Sequence, residues 1–312
     1  MKLTICIVNH NQDEMVEEAI SKLKRQSKKP DEIIVCSDGD KPFETKQSGV
    51  IVINSDDPGR CKNRNRGAEA FLDGECDAVV FIDGDCYPSK KDFLSRISEK
   101  MEDADLLFCP RTHLMPKKKL KNPPSDYLTA NMDNMWLGKK MDSADLRIAS
   151  GAFESWSSSK SFNEKLDLLL TGMISWSCCF AITRTGLEKH LKFMKSHYGR
   201  AELFDTSAFD GSWGYEDIAM GIDALYGGLK IDITEDSSVI HYAHNRTDGL
   251  FDHVKGRHLV MQRSRDLEKS VKVKDKVYLT LLISFLVYIA GVITGLVTGY
   301  ISFANSVNGL MN

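Results

Sequence analysis

The chain has 312 residues, enough for one large domain and an appended segment. Its 41 basic and 44 acidic residues give a net charge of −3, a balance that argues against a dedicated nucleic-acid-binding protein. The eight cysteines show no CxxC pair or other zinc-type spacing, and the first residues carry no signal-peptide pattern. We therefore expect a domain in a reducing, cytosolic compartment.

Apolar strand patterns alternate with amphipathic helix patterns over the first 110 residues. The predicted strands are Leu3–Val8, Glu32–Cys36, Val50–Ile53, Ala78–Ile82 and Leu106–Cys109, and the predicted helices are Asp13–Gln26, Asn63–Leu72 and Phe93–Met101. This alternation predicts an α/β fold with a doubly wound sheet. In such sheets ligands bind beyond the carboxyl ends of the strands, where Asn9, Asp38 and Asp83 fall.

The pattern weakens over residues 111–170, which we interpret as an insertion of loops and short helices. Regular patterns then return as a helix over Gly186–Met194, a segment Asp210–Tyr226 that leads into a helix, and a strand-like segment Ile231–Tyr242. Residues 251–276 alternate basic and apolar residues, which predicts an amphipathic linker helix on a membrane surface.

Residues 277–304 contain no charged side chain, and this run exceeds the roughly 20 apolar residues that span a bilayer. Three lysines precede the run, whereas the tail 305–312 has no basic residue, so we expect a single-pass C-terminal anchor with the domain facing the cytosol. Gly291, Gly295 and Gly299 recur every four residues, a spacing that permits a homodimer through close helix–helix contact.

Two carboxylates, Asp83 and Asp85, are separated by one glycine where the predicted buried strand Ala78–Ile82 ends. Their mutual repulsion favours a divalent cation between them, and Mg²⁺ or Mn²⁺ commonly bridges protein carboxylates to substrate phosphates. The alternative is an ordinary turn in which Asp caps the next helix. We therefore predict a metal site for a diphosphate-bearing substrate.

Four motifs occur in order: TICIVNHNQ, QSKKPDEIIVCSDGD, PGRCKNRNRG and AVVFIDGDCYPS. Together they resemble the family-2 glycosyltransferases of the GT-A fold, strongly over residues 1–110 and moderately over 170–250. The resemblance implies a GT-A type doubly wound mixed sheet and a nucleotide-diphosphate sugar donor, with a UDP-sugar favoured.

The resemblance also implies roles for individual residues. The first loop would contact the nucleotide, the second would face the base, the basic helix start would hold the diphosphate, and the paired carboxylates would lie at the ribose and metal. The corresponding residues are Asn9, Asn11, Asp38, Arg60, Arg64, Asn65, Asp83 and Asp85. Ser37 replaces the first acidic residue of the family's second loop, which weakens the prediction of uracil recognition.

Residues 210–217 read DGSWGYED and resemble the Trp-Gly-x-Glu-Asp segment of galactosyl-, N-acetylgalactosaminyl- and chondroitin-type transferases. The resemblance implies that Asp217 is the base of an inverting displacement, that Glu216 contacts the acceptor, and that Trp213 stacks on a sugar. Helix capping by the two carboxylates is the alternative.

The resemblance further implies that a histidine after the next strand completes the metal shell. His244 is favoured and His241 is the alternative, since imidazole joins carboxylate oxygen acceptably at Mn²⁺.

The sequence thus predicts a glycosyltransferase domain over 1–250, with a nucleotide-sugar half (1–110) and an acceptor half (111–250), before the linker, the membrane helix and the tail. The acceptor is a glycan, a lipid-linked sugar or a protein side chain. A non-catalytic, membrane-anchored sugar-nucleotide- or glycan-binding scaffold and a nucleotidyltransferase are the alternatives.

Overall fold

The computed structural model describes residues 1–114, 155–159, 161–170, 177–210, 214–234, 238–242 and 250–271. Its strands are β1 (Leu3–Asn9), β2 (Glu32–Ser37), β3 (Ile51–Asn54), β4 (Ala78–Asp83), β5 (Cys86–Pro88), β6 (Leu106–Phe108), β7 (Arg111–Leu114), β8 (Cys179–Thr183), β9 (Ile231–Ile233) and β10 (Val239–Tyr242). Its helices are α1 (Asp13–Lys24), α2 (Arg60–Asp73), α3 (Phe93–Lys100), α4 (Phe162–Leu170), α5 (Arg184–Tyr198), α6 (Thr206–Phe209), α7 (Glu216–Tyr226) and α8 (Leu250–Val271).

A seven-stranded mixed sheet in the order β3-β2-β1-β4-β8-β6-β9 forms the centre of the fold. Strands β1 to β4 are parallel, whereas β8 runs antiparallel to both β4 and β6. The inner strands β1 and β4 are apolar and almost wholly buried, as strands covered on both faces must be. The predicted α/β mixed sheet is confirmed.

A smaller sheet of order β5-β10-β7 lies beyond the end of β4. The segment Ile231–Tyr242, predicted to be one strand, is two, because β9 joins the large sheet and β10 joins the small one. Strand β10 pairs antiparallel with β5, which brings His241 opposite Cys86. The small sheet thereby carries late-chain residues to the end of β4.

Helix α2 starts at Arg60, three residues before its predicted start, and lies close against the large sheet. A Cβ atom at Gly67 would stand 2.2 Å from the Cys6 sulfur, so glycine is needed for this close approach. The approach aims the basic start of α2 at the carboxyl ends of β1 and β4.

The last described helix, α8, differs from the predicted linker. Its buried residues are Gly256, Val260, Arg263, Ser264 and Leu267, and one compact unit spans Met1–Leu267. This compact unit includes most of the segment predicted as a linker; the predicted boundary at residue 250 and the predicted contact of this helix with a membrane surface stay predictions.

Within the described ranges, no helix combines the length and the apolar character that crossing a bilayer requires. The predicted membrane helix 277–304, its three glycines, the tail and most of the predicted insertion lie outside those ranges.

Candidate active site at the carboxyl ends of the sheet

The strand register brings three predicted site positions to one edge of the sheet. Asn9 stands opposite Ser37 on β2, the residue directly before Asp38. Val8 stands opposite Asp83 on β4. Parallel strands end at the same edge, so the loops after β1, β2 and β4 lie along one edge of the sheet.

Asn9 is fully buried and serves the fold of that edge. Its amide nitrogen donates to Asp13 (2.9 Å) and Ser37 (3.1 Å), and its side-chain oxygen accepts from the backbone N–H of Gln12 (3.0 Å). The side chain therefore fixes the turn from β1 into α1, and its contact with a nucleotide stays a prediction.

Asn11 and Asp38 join the loops that were predicted to hold the base. Asn11 adopts a left-handed conformation (φ 58°) and exchanges hydrogen bonds of 3.3 and 2.8 Å with Asp40. Asp38 lies 3.0 Å from His10 Nδ1 and accepts a 2.8 Å hydrogen bond from the Gly59 N–H, just before α2. These contacts set the first two loops and the start of α2 around one space.

Asp85, Cys86 and His241 form a candidate metal centre, with one ligand atom from each within 4.8 Å of the others. Asp85 Oδ2 and His241 Nε2 are 3.4 Å apart, close to the roughly 3 Å expected for neighbouring ligands on one ion. Gln12 Nε2 donates to the same Asp85 oxygen (3.1 Å) and orients the carboxylate. Carboxylate plus imidazole fits a divalent cation such as Mn²⁺, and the thiol adds a softer donor.

Two predicted site residues, His244 and Trp213, lie outside the described residues. Of the two histidines that the sequence left open as ligands, His241 is the one that the described structure brings to Asp85.

Asp83 pairs with Arg64, and its predicted role in the metal site stays a prediction. Their side chains approach to 2.5 Å, and the Arg64 side chain is only 4% exposed. Burial raises the pKa of Asp83, and the guanidinium of Arg64 partly opposes the rise. The ion pair fixes the end of β4 to the start of α2.

The other basic residues of α2 have different partners. Arg60 lies 3.4 Å from Glu216, whereas Lys62 and Arg66 both contact Asp57 in the loop before the helix. Lys62 and Arg66 therefore hold the loop, and Arg60 joins α2 to the start of α7.

Asn65 anchors a loop of the second half, and its predicted contact with the diphosphate stays a prediction. Its side chain exchanges hydrogen bonds of 2.9 and 2.8 Å with the backbone of Phe204. The neighbouring Asn63, which the sequence did not single out, donates to the carbonyls of Asn9 and Cys36.

Asp217 stands at the start of α7, after Gly214 and Tyr215, which both have positive φ. Its two oxygens accept from the backbone N–H groups of Ile218 (2.8 Å) and Ser177 (3.3 Å). Burial, followed by the charge of Glu216, raises the pKa of Asp217 to about 6. A carboxylate with this pKa is suited to accept a proton near neutral pH.

Arg64 and Ser177 connect the two carboxylate sites. Arg64 Nη2 binds Asp83 and lies 3.5 Å from the carbonyl of Ser177, whose own N–H binds Asp217. The positive charge of Arg64 also lowers the pKa of Asp217 slightly. Asp83 and Asp217, predicted separately, are therefore linked through Arg64 and the backbone of Ser177.

Sequence reasoning missed Gln12, Cys86 and Ser177. Cys86 directly follows Asp-Gly-Asp, and Gln12 lies in the first predicted loop, so both had a positional signal. Ser177 acts through its backbone, which no side-chain pattern reveals.

The family model "Glycosyl transferase family 2" matches residues 4–191, and the chain belongs to this family. No curated protein sequence matches the chain.

Among solved structures, TarS from S. aureus is 15% identical with a TM-score of 0.46, over 83% of this chain and 39% of TarS. A TarS 1–349 structure in complex with UDP has the same identity and TM-score, over 84% of this chain and 65% of the other. GalNAc-T7 with UDP, GalNAc and Mn²⁺ is 12% identical with a TM-score of 0.48, over 86% of this chain and 48% of that one. The chain spans less than two thirds of each of these proteins, and its family membership rests on the sequence match.

Proposed function

We propose that the protein is a metal-dependent, inverting glycosyltransferase that moves a sugar from a nucleotide-diphosphate sugar, with a UDP-sugar favoured, to an acceptor hydroxyl. The contact series Asp83–Arg64–Ser177–Asp217 carries this proposal, because it joins the predicted donor side to a carboxylate whose pKa is raised to about 6.

The proposed reaction is a single displacement. The acceptor hydroxyl gives its proton to Asp217 as its oxygen bonds to the anomeric carbon, and the bond from that carbon to the diphosphate breaks with its electron pair leaving on the diphosphate. A divalent cation bound by Asp85 and His241 would neutralise charge on the leaving diphosphate. The cationic start of α2, with Arg60 and Arg64, favours an anion at the same place.

Glu216 is suited to bind a sugar hydroxyl beside the base. One of its oxygens lies near Arg60, and the other is buried with no hydrogen-bond partner among the described residues. A buried acceptor without a donor is costly, and a sugar hydroxyl supplies that donor. This supports the predicted acceptor contact.

We also propose that residues 277–304 anchor the protein in a membrane with the catalytic domain in the cytosol, because this run is uncharged and follows a lysine-rich segment. A membrane anchor favours a lipid-linked or membrane-proximal acceptor. The spacing of Gly291, Gly295 and Gly299 supports a homodimer through the anchor. Membrane fractionation with protease protection of the domain tests the orientation.

A panel of nucleotide sugars tests the enzymatic proposal on the detergent-solubilised chain. We expect Mn²⁺-dependent thermal stabilisation by one donor and slow release of its sugar. Asp85→Asn should abolish both the thermal stabilisation and the sugar release. Asp217→Asn should keep the stabilisation and abolish the release. Glu102→Gln, on an exposed loop, is the matched control. Donor binding without turnover would favour a scaffold, and pyrophosphate release from a nucleoside triphosphate would favour a nucleotidyltransferase.

A further inference from the structure

Helix α8 packs on the domain with a single stripe of residues. The buried members Gly256, Val260, Arg263, Ser264 and Leu267 follow helical spacing, while Lys255, His258 and Gln262 are exposed. Two of the buried residues, Gly256 and Arg263, contact the region of α7 that carries the proposed base.

Gly256 lies against Tyr215, the residue directly before Glu216. A Cβ atom at position 256 would stand 2.5 Å from Tyr215 Cδ2 and 3.3 Å from the carbonyl oxygen of Gly214. Tyr215 has φ 71°, a left-handed conformation that is unfavourable for a residue with a side chain. Such a conformation persists where its surroundings enforce it, and α8 is part of those surroundings.

Arg263 binds α7 about two turns after Tyr215. Its guanidinium donates to both oxygens of Asp223 on α7 (2.6 to 3.0 Å) and to Asp205, which caps α6 (2.7 Å). The Tyr198 hydroxyl donates to Asp223 at 3.0 Å, and the Tyr198 ring centroid lies 4.0 Å from the guanidinium carbon. The charged side chains of Arg263, Asp205 and Asp223 are each at least nine-tenths buried.

The two contacts have matching spacings on the two helices. Gly256 and Arg263 are separated by about 10 Å along α8, and Glu216, the residue after Tyr215, lies about 10 Å from Asp223 along α7, at 1.5 Å per residue. Two fixed points at this separation prevent α7 from tilting or rotating. Asp217 lies between them and turns with the helix.

We propose that α8 is a clamp that positions the base: Gly256 against Tyr215 and Arg263 against Asp223 hold the start of α7 so that Asp217 faces the acceptor. This inference rests on the proposed function, and it makes Gly256 and Arg263 positioning residues, since neither touches the reacting atoms. It assigns a positioning role to the segment that leads toward the predicted anchor.

Gly256→Ala and Arg263→Lys test the clamp in the full-length chain. The alanine methyl group must move away from Tyr215 by about 1 Å to reach van der Waals distance. Lysine keeps the charge of Arg263 but lacks the planar fork that binds Asp223 bidentately. Gln262→Ala, on the exposed face of the same helix, is the matched control.

Both variants should lower kcat roughly 10- to 100-fold, because a displacement of about 1 Å can cost this much. The KM for the donor and the affinity for UDP with Mn²⁺ should stay within about twofold, since the candidate metal ligands Asp85 and His241 lie on neither α7 nor α8. Hydrogen exchange of the α7 amides should accelerate while exchange in α1 stays unchanged. Adding Tyr215→Gly to Gly256→Ala removes the clashing ring and suits a positive φ, so it should restore protection of α7.

The clamp is refuted if α7 keeps its protection in both variants, if α1 loses protection to the same extent, or if kcat matches that of Gln262→Ala. The hydrogen-exchange result does not depend on turnover. If the wild-type protein transfers no sugar but both variants lose protection of α7, the proposed function is overturned and the clamp is still supported.

Discussion

Replacing the proposed base by its neutral isostere, Asp217→Asn, should remove activity while stabilising the fold. Transfer should fall about 100- to 10,000-fold, the usual contribution of a general base. The effect on stability follows from the pKa of Asp217, which burial and the Glu216 charge raise from 3.8 to about 6. That rise means that ionised Asp217 costs the folded state about 3 kcal/mol.

The asparagine also loses one strong acceptor for the backbone N–H groups of Ser177 and Ile218, which costs about 1 kcal/mol. The net gain above pH 7 is therefore about 2 kcal/mol, or about 5 °C in Tm. Below pH 3.8 the carboxyl is protonated in both the folded and the unfolded chain, so the gain disappears. It grows as pH rises from 3.8 to 6 and is constant above that range.

Thermal unfolding of both proteins from pH 4 to pH 8, with kcat of the wild type over the same range, measures these effects. The kcat profile should fall tenfold per pH unit below an apparent pKa of about 6. A Tm difference that is the same at every pH, or that has the opposite sign at pH 8, would contradict the reasoning. An acid limb near pH 4 would show that the base is another group.

Two further variants test the metal side and the ion pair. Gln12→Ala removes the donor that orients Asp85, so Mn²⁺ affinity measured by calorimetry should fall roughly 10- to 100-fold; an unchanged affinity would exclude this role. Arg64→Met removes the buried guanidinium that pairs with Asp83, whose side chain is 27% exposed, and should destabilise the fold by about 2 kcal/mol in denaturant unfolding. Arg96→Met, which breaks an exposed helix pair, is its control and should cost about 0.5 kcal/mol or less. Equal costs for the two arginines would refute the assignment of Arg64.

The first half of the fold was predictable because its signals are local. Apolar runs and amphipathic periods identified β1, β2 and β4, and the strand ends placed Asn9, Asp38 and Asp83 at one edge of the sheet. Parallel strands have only one carboxyl edge, so local patterns alone bring these residues together.

The second half depended on contacts between distant segments. The short strands β9 and β10 look like one apolar run in the sequence, and only their partners separate them into two sheets. The roles of Asn9 and Asn65 likewise depended on which neighbours occupy their hydrogen bonds, and both side chains bind protein groups.

By itself, the sequence determined the strands of the first half, their shared carboxyl edge and the two acidic motifs, because short-range periodicity fixes them. Only the tertiary structure decided that His241 reaches Asp85, that Arg64 joins Asp83 to the Asp217 side, and that α8 holds α7. Those pairings join residues far apart in the chain, and their distances follow from packing rather than from any local pattern.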